Sequence, residues 1–154
     1  AWGATLLTGG DSETAVRLTL SMVGSYGVVI GLKNLVRRPR PVAVHDWVIG
    51  RPKYPGGRDL DPHSWPSGHA TMAASIASTL AFQHQEWYVI GPAAIWAVAV
   101  GGSRMWLGVH YPSDVLTGWA IGFGSAWIVH RLRNNGEAES LGGSPLFRFS
   151  VPIG

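Results

Sequence analysis

Residues 103–114 form the segment SRMWLGVHYPSD, which places a cation, an imidazole and a carboxylate between two apolar runs. Pro112 suits the first turn of a helix, because its missing N–H has no helical partner there and its φ angle is already helical. If the helical turn reaches back to His110, this residue and Asp114 lie four apart on one face, and the carboxylate can hold one ring nitrogen. The other nitrogen is then available as a base or nucleophile. A buried histidine beside an aspartate helix cap fits this segment alone equally well.

Composition limits the class of protein. The chain has 154 residues, enough for one domain with a single core, so we expect residues 1–154 to form one domain. It is 46% hydrophobic and 14% charged, well below the quarter or so of charged residues typical of soluble domains. This balance indicates a heavily buried or membrane-associated helical protein. The absence of cysteine from the sequence excludes disulfides and thiolate metal sites.

Apolar runs separated by Pro, Gly and charged residues predict an all-α bundle with about four core helices. Pro39 and Pro41 end the first helix, because neither can continue the hydrogen-bond ladder. A polar tail follows at 134–154, with one short alternating strand near 146–151. The predicted helices cover about residues 12–36, 67–84, 86–105 and 112–133.

The connection between the first two helices, residues 37–66, is about thirty residues long and rich in Pro, Gly and charge. Connections of this length are usually functional or disordered, so we expect a substrate-facing loop. Six of the 12 lysines and arginines lie between Lys33 and Lys53, which favours an anionic partner. Nucleic acid is disfavoured, because the basic residues are not interleaved with a stacking platform.

Four helices joined by turns alternate in direction, so four helix ends meet at one pole. These are the end of the first, the start of the second, the end of the third and the start of the fourth. This arrangement brings together chemistry-bearing residues that are far apart in the sequence: Lys33, Arg40, Ser67, His69, Arg104, His110 and Asp114.

The predicted pole suits a tetrahedral dianion. Lys33, Arg40 and Arg104 bring three positive charges, and the two guanidinium groups match an oxyanion in bidentate fashion. Ser67 and Gly68 open the second helix, where backbone N–H groups and the positive dipole end favour anions. A plain helix cap is the commoner role for Ser67. No histidine has a metal-ligand partner at useful spacing, so we expect no metal and no cofactor.

Two imidazoles at one pole are what a double-displacement phosphoryl transfer requires. His110, with Asp114 as its partner, is the better nucleophile, and His69 at the helix N-terminus is then the acid and base. The cations would stabilise the equatorial oxygens of the transferring phosphoryl group, which is electrostatic catalysis and requires no metal.

Three motifs carry a family resemblance. The first is Lys33, six residues and Arg40-Pro41, and the second is the stretch PSGH at 66–69. The third is Ser103-Arg104, five residues, His110, three residues and Asp114. Together they resemble the signature of the type 2 phosphatidic acid phosphatase family, which is related to class A acid phosphatases and vanadium haloperoxidases. The resemblance implies a metal-independent helical-bundle phosphatase with a phosphohistidine intermediate. Family members usually have one or more helices before the helix that carries the lysine motif, so one or more helices are expected to be missing here.

The sequence favours a multi-pass membrane protein acting on a lipid phosphate, with its site facing the periplasm or exterior. One observation argues against this: the uncharged helix cores are 14 to 17 residues long, shorter than the roughly 20 residues that span hydrocarbon. Arg131 and Arg133, at the pole opposite the site, indicate a cytoplasmic side. Four tryptophans are candidate interfacial anchors, although core packing suits them equally: Trp87, Trp106, Trp119 and Trp127.

Other functions remain open at this level. A soluble periplasmic acid phosphatase acting on small esters would need the same residues. A haloperoxidase would use the cations to hold vanadate, with His110 as its ligand. A non-catalytic phosphate-binding subunit of a membrane complex is the third alternative, and an oligomer or complex fits a short chain.

Overall fold

The computed structural model describes residues 10–46, 48 and 61–140, which form an all-α bundle with one short and four long helices. Among these residues the extended pairing is a single bridge between Pro39 and His63. The predicted fold class is confirmed. The helices are α1 (Gly10–Val36), α2 (Pro41–Val44), α3 (Gly68–Gln83), α4 (Trp87–Trp106) and α5 (Pro112–Ser140).

The helix bounds differ from the predicted ones at two places. α5 runs to Ser140 and so takes in the first part of the predicted polar tail. The short α2 was not predicted; Pro41, in its first turn, has the fixed φ that begins a helix. The short strand predicted near 146–151 lies outside the described residues.

α3 is the central helix and packs against α1, α4 and α5. α1 also packs on α5, and α4 meets α5, whereas no Cα atom of α1 lies within 8 Å of one of α4 in the described part of the chain. A gap therefore remains between α1 and α4, with α3 as its floor. This gap is the feature of the fold that matters most for the site.

Small residues allow α5 to approach α3 closely. A Cβ atom on Gly118 would lie 2.7 Å from the backbone oxygen of Ser67, and one on Gly122 would overlap the backbone oxygen of Thr71. Only a residue without a side chain fits at such positions, so these two glycines set the distance between the helices. The first turn of α3 is therefore held tightly against α5.

Helix ends meet at one pole through backbone hydrogen bonds. The N–H of Ser67 donates to the carbonyl of Asp114 at 3.0 Å, and the N–H of Val42 donates to Gly108 at 3.0 Å. Arg37, directly after α1, has a φ of 50°, the left-handed conformation that commonly ends a helix. The chain therefore leaves the helix axis at Arg37.

The opposite pole is closed by a charged cluster between α1 and α5. Arg17, although only 4% exposed, donates to Glu13 at 2.7 Å and to the Asn134 side chain at 2.8 Å. Arg133 donates to the same glutamate carboxylate, with its Nε 2.9 Å from Oε1. Each charge has a partner of opposite sign, which a buried ion requires.

Candidate active site

A pocket of about 990 Å³ opens at the pole where the helix ends meet. Residues from α1, α3, α4 and the two connecting loops share this cavity, although they are distant in the sequence. Of the eight residues predicted to form the site, six line it: Lys33, Arg40, Gly68, His69, Arg104 and His110.

His110 lies in the loop between α4 and α5 and is 4% exposed. Its Nε2 lies 3.3 Å from Nη1 of Arg40, and its Nδ1 lies 3.6 Å from Oδ2 of Asp114. A guanidinium can only donate, so Nε2 accepts and the ring proton sits on Nδ1, facing the carboxylate. This tautomer keeps the lone pair of Nε2 on the pocket side.

Asp114 is fully buried directly behind His110. Its Oδ2 accepts from the Tyr111 N–H at 2.8 Å, and its Oδ1 accepts from Nη1 of Arg38 at 2.8 Å. Burial alone would raise the pKa of Asp114, but the interactions with His110, the Tyr111 N–H and Arg38 outweigh it and hold the pKa below its ordinary value. Asp114 is therefore a carboxylate at neutral pH.

Burial lowers the pKa of His110 below the ordinary imidazole value, although Asp114 acts in the opposite direction. The positive charges of Arg40 and Lys33 lower it further. Both effects disfavour the imidazolium. His110 is consequently neutral, as a nucleophile must be.

His69 is the second residue of α3, and its side chain is accessible from the pocket. Partial desolvation lowers its pKa, followed by the nearby charge of Arg104 and smaller effects of His110 and Arg40. A bound dianion would offset these charges and favour the protonated ring. His69 thus has the environment of a group that gains a proton when an anionic substrate arrives.

The three predicted cations are held in different ways. Lys33 Nζ donates to Oδ2 of Asp61 at 2.5 Å and to the His63 carbonyl at 2.7 Å. Arg40 is buried, and it donates to the carbonyls of Asp61 at 2.6 Å and Val109 at 2.9 Å. Arg104 donates from Nε to Ser103 Oγ at 3.1 Å. Fixed cations of this kind suit a bound oxyanion.

Ser67 and Gly68 have distinct positions at the start of α3. Ser67 is fully buried, and its hydroxyl accepts from the Ala70 N–H at 3.4 Å as the helix cap. Gly68 lines the pocket, where an added Cβ would make only an ordinary contact, 3.7 Å from Val29 Cγ1. Phosphate binding by either residue stays a prediction.

Two residues at the site were not predicted from the sequence. The first is Asp61, whose carboxylate accepts a hydrogen bond from Lys33. Partial burial alone would raise the pKa of Asp61, but the hydrogen bonds from Lys33 and the His63 N–H outweigh this effect and hold the pKa below its ordinary value. The second, Arg38, binds the buried Asp114 and is not among the residues that line the pocket. Three arginines lie within residues 37–40, and the local sequence does not indicate which of their side chains points toward Asp114.

The remaining pocket wall is apolar. On α4, Trp96, Val100 and Arg104 follow one another at intervals of four residues and therefore form a single stripe. On α1, Tyr26, Ile30 and Lys33 form a matching stripe. The pocket thus extends from the cations along the gap between the two helices, over Met72 and Ala73 of α3.

No group of three or more His, Asp or Glu side chains within residues 10–46, 48 and 61–140 is close enough to hold a metal ion. The positive charges that face the pocket come from Lys33, Arg40 and Arg104.

Comparison with known proteins decides the family. The sequence profile of the PAP2 superfamily matches residues 14–137, which include all three motifs. The chain belongs to the PAP2 superfamily. The family resemblance inferred from the motifs is therefore confirmed.

Among PAP2 proteins, a lipid A 1-phosphatase from Rhizobium johnstonii is 32% identical over 125 residues, 74% of this chain and 48% of that protein. The chain thus spans about half the length of this curated relative. LpxE from Aquifex aeolicus has a similar structure, with a TM-score of 0.67 at 29% identity over 78% of this chain and 68% of that one.

A second solved structure is a transmembrane PAP2 type phosphatidylglycerolphosphate phosphatase from Bacillus subtilis. It has a TM-score of 0.58 at 27% identity, covering 87% of this chain and 61% of that one. Both structural neighbours match the helical bundle described above.

Proposed function

We propose that this protein removes the phosphate group from a phosphorylated lipid through a phosphohistidine on His110. The observation that carries the proposal is the shared cavity, in which the imidazoles of His69 and His110, with that of His63, and three cations adjoin an apolar wall. The named functions of its relatives, a lipid A 1-phosphatase and a phosphatidylglycerolphosphate phosphatase, support the same reaction class.

The reaction follows from the positions of the two histidines. Nε2 of His110 attacks phosphorus, the bond between phosphorus and the lipid oxygen breaks, and protonated His69 gives its proton to the departing alkoxide. Water then attacks the phosphohistidine and gives its proton to His69, the phosphorus–nitrogen bond breaks, and inorganic phosphate leaves. Lys33, Arg40 and Arg104 stabilise the negative oxygens throughout.

The apolar part of the cavity favours a lipid over a small soluble ester. Tyr26 and Lys33 lie seven residues apart on α1, and Trp96 and Arg104 eight apart on α4, so the apolar walls run for about 10–12 Å below the cations. Side chains of both α1 and α4 line the cavity, and the Cα atoms of the two described helices stay more than 8 Å apart. A hydrocarbon chain attached to the phosphate would lie there without burying a polar group.

The same geometry supports a membrane-embedded chain. Ser12–Val36, with a mean hydropathy of 1.5, is the one described segment that is long and apolar enough to cross a membrane by this measure. Trp87 and Trp106 lie at the two ends of α4 and are 80% and 89% exposed. They are about 28 Å apart along the helix, close to the hydrocarbon thickness of about 30 Å.

We infer a multi-pass orientation in which the site pole faces the exterior or periplasm, with Arg131 and Arg133 on the cytoplasmic side. Large apolar side chains on α1, α4 and α5 are exposed, including Val23, Ile95 and Leu132. A soluble protein rarely exposes this much apolar surface. Trp119, unlike the exposed Trp87 and Trp106, packs against α4: its ring occupies the space where a side chain on Gly101 would lie.

Phosphate release tests the proposal. The detergent-solubilised protein is assayed with chelator present against phosphatidic acid, phosphatidylglycerophosphate, an isoprenyl diphosphate and p-nitrophenyl phosphate. We expect release from at least one lipid, inhibition by vanadate, no activity in His110→Ala and a loss of about 10²- to 10⁴-fold in His69→Ala. His84→Ala, an exposed change after α3, is the control and keeps full activity.

Quenching in alkali during turnover separates the alternatives, because the phosphorus–nitrogen bond of phosphohistidine is stable in base and is hydrolysed in acid. A phosphoryl group trapped on the wild type, and absent from His110→Ala, supports the phosphohistidine. Hydrolysis of the soluble ester alone would favour an acid phosphatase, and halide oxidation that requires added vanadate would favour a haloperoxidase. Phosphate binding without turnover would favour the remaining alternative, a non-catalytic phosphate-binding subunit.

A further inference from the structure

We propose that Arg38 is a positioning residue that fixes the Asp114 carboxylate against Nδ1 of His110. The inference rests on the proposed function of His110 as the nucleophile. Arg38 is one of the six residues between Lys33 and Arg40, whose identity the first motif does not specify. The contacts that hold it are all made within this chain.

The first observation is that the two oxygens of the Asp114 carboxylate have different partners. Oδ1 accepts from Arg38 at 2.8 Å, while Oδ2 accepts from the Tyr111 N–H at 2.8 Å and faces His110. The carboxylate therefore has a different partner on each oxygen, which prevents rotation about its own axis. Arg38 supplies the one positive side chain within ion-pair distance of it in the described residues, apart from the imidazole itself.

The second observation is the need of His110 for a fixed acceptor. Its Nδ1 is buried without a hydrogen-bond partner in the described residues, and Asp114 Oδ2 at 3.6 Å faces it. During phosphoryl transfer the ring becomes positively charged, and a contraction of this separation to a normal hydrogen bond would stabilise it. That contraction requires a carboxylate that stays ionised and correctly oriented.

The third observation is that Arg38 is itself held in place. The same Nη1 donates to Ser113 Oγ at 2.7 Å, and the guanidinium lies 3.9 Å from the centre of the Tyr111 ring. Both contacts are to residues adjoining Asp114 on the loop and first turn of α5. The backbone carbonyl of Arg38 also accepts from the Ser64 N–H at 2.7 Å. Arg38 therefore has little freedom to release the carboxylate.

Arg37 provides a matched control. It is exposed, it carries the same charge, and its Nε donates back to the Asn34 carbonyl at 2.9 Å rather than to α5. Methionine is a suitable replacement at both positions, because it keeps an unbranched apolar stem and removes the charge and the donors.

The experiment compares kcat and KM for lipid phosphate release in Arg38→Met, Arg37→Met and Arg38→Lys. Groups that orient a functional imidazole are typically worth about 10- to 100-fold. We expect Arg38→Met to lower kcat by that factor with KM changed by less than about 3-fold, and Arg37→Met to match the wild type. Arg38→Lys restores the charge and part of the rate.

A double-mutant cycle identifies the route of the effect. If Arg38 acts through Asp114, adding Arg38→Met to Asp114→Asn costs less than about 3-fold more. A purely structural role would instead lower activity by the same factor in both backgrounds. Equal kcat in Arg38→Met and Arg37→Met, additive losses in the cycle, or loss of folding in Arg38→Met would each overturn the proposal.

A spectroscopic measurement keeps this result separate from the proposed function. The Nδ1–H signal of His110, assigned by its absence from His110→Asn, is followed by ¹⁵N-edited NMR. We expect the same signal in the wild type and Arg37→Met, and the same shift or loss in Arg38→Met and Asp114→Asn. An inactive wild type with these NMR changes refutes the phosphatase proposal alone, whereas an active wild type with an unchanged signal in Arg38→Met refutes the role of Arg38.

Discussion

Nη1 of Arg40 lies 3.3 Å from Nε2 of His110, across 70 positions of sequence. The guanidinium thus points at the lone pair that attacks phosphorus in the proposed mechanism. This contact keeps Nε2 unprotonated. If a phosphoryl group takes over the Arg40 donors, it also releases this lone pair, and we therefore expect anion binding and activation of the nucleophile to be coupled.

Arg40→Lys tests this coupling. An ammonium cannot reproduce the planar fork that contacts the Asp61 and Val109 carbonyls as well as His110. We expect kcat to fall by about 100-fold, the usual effect of removing one donor to a developing negative charge. Arg131→Lys, at an exposed guanidinium over Trp127 near the opposite pole, should leave steady-state kinetics unchanged. A full rate in Arg40→Lys would show that charge alone suffices.

The titration of His69 gives a prediction for pH. Partial desolvation and the charge of Arg104 both disfavour the imidazolium, so in the ligand-free protein the pKa of His69 should lie below the ordinary value of about 6.5. Inorganic phosphate adds negative charge beside the ring, which favours the proton, and should therefore raise this pKa. Histidine NMR titration with and without phosphate measures both. A downward shift on binding would contradict the assigned acid role.

Asp61→Asn tests whether the carboxylate on Lys33 competes with the substrate phosphate. The pair is partly exposed, with 47% of the Asp61 side chain accessible, and such pairs are worth at most about 1 kcal/mol. We expect vanadate to inhibit Asp61→Asn about 2- to 5-fold more tightly than the wild type, since each 1.4 kcal/mol is tenfold. Asp46→Asn, an exposed change after α2, controls for the altered net charge. Weaker inhibition would mean that Asp61 positions Lys33 instead.

Val100→Phe tests the apolar wall of the pocket. The larger ring would fill part of the gap between α1 and α4, because Val100 faces the cavity in the stripe below Arg104. We expect KM for a long-chain lipid phosphate to rise several-fold while p-nitrophenyl phosphate hydrolysis changes little. Val98→Phe, on an exposed part of α4, is the matched control. Equal losses with both substrates would place the lipid chain elsewhere.

Gly122→Ala tests the close approach of α5 to α3. The new methyl group would overlap the Thr71 carbonyl and lie 2.7 Å from the Ser75 nitrogen, so the helices must separate. Overpacking of this kind typically costs about 1–3 kcal/mol. Gly124→Ala, on the same helix, meets no neighbouring atom within 4 Å and should be neutral or slightly stabilising. Thermal unfolding in detergent measures both midpoints, and equal midpoints would contradict the tight seam.

The sequence predicted the fold and most of the site because its signals are local. Pro112 begins a helix, Arg37 is followed by two prolines that end one, and alternation of helix direction then brings His69 and His110 to one pole. The directions of neighbouring side chains could not be predicted in the same way. The left-handed turn at Arg37 separates the paths of Arg37 and Arg38, and only Arg38 reaches the first turn of α5.

Asp61 shows a second limit of sequence reasoning. It lies 28 residues from Lys33, at the end of a long connection without periodicity. Its position is set by the bridge between Pro39 and His63, which is a tertiary contact. Similarly, only the fold shows that α3 is central and that α1 and α4 remain apart.

That separation leaves α4 held to the bundle by α3 and α5, with no support from α1 among the described residues. Substitutions on its inward stripe between Trp96 and Val100 can change the shape of the groove without disturbing the seam that joins the two histidine-bearing segments. If the proposed lipid chain lies in this groove, such substitutions would change the preferred hydrocarbon length while the reaction chemistry stays constant. An engineer who wishes to retune the substrate range of this scaffold should start on α4.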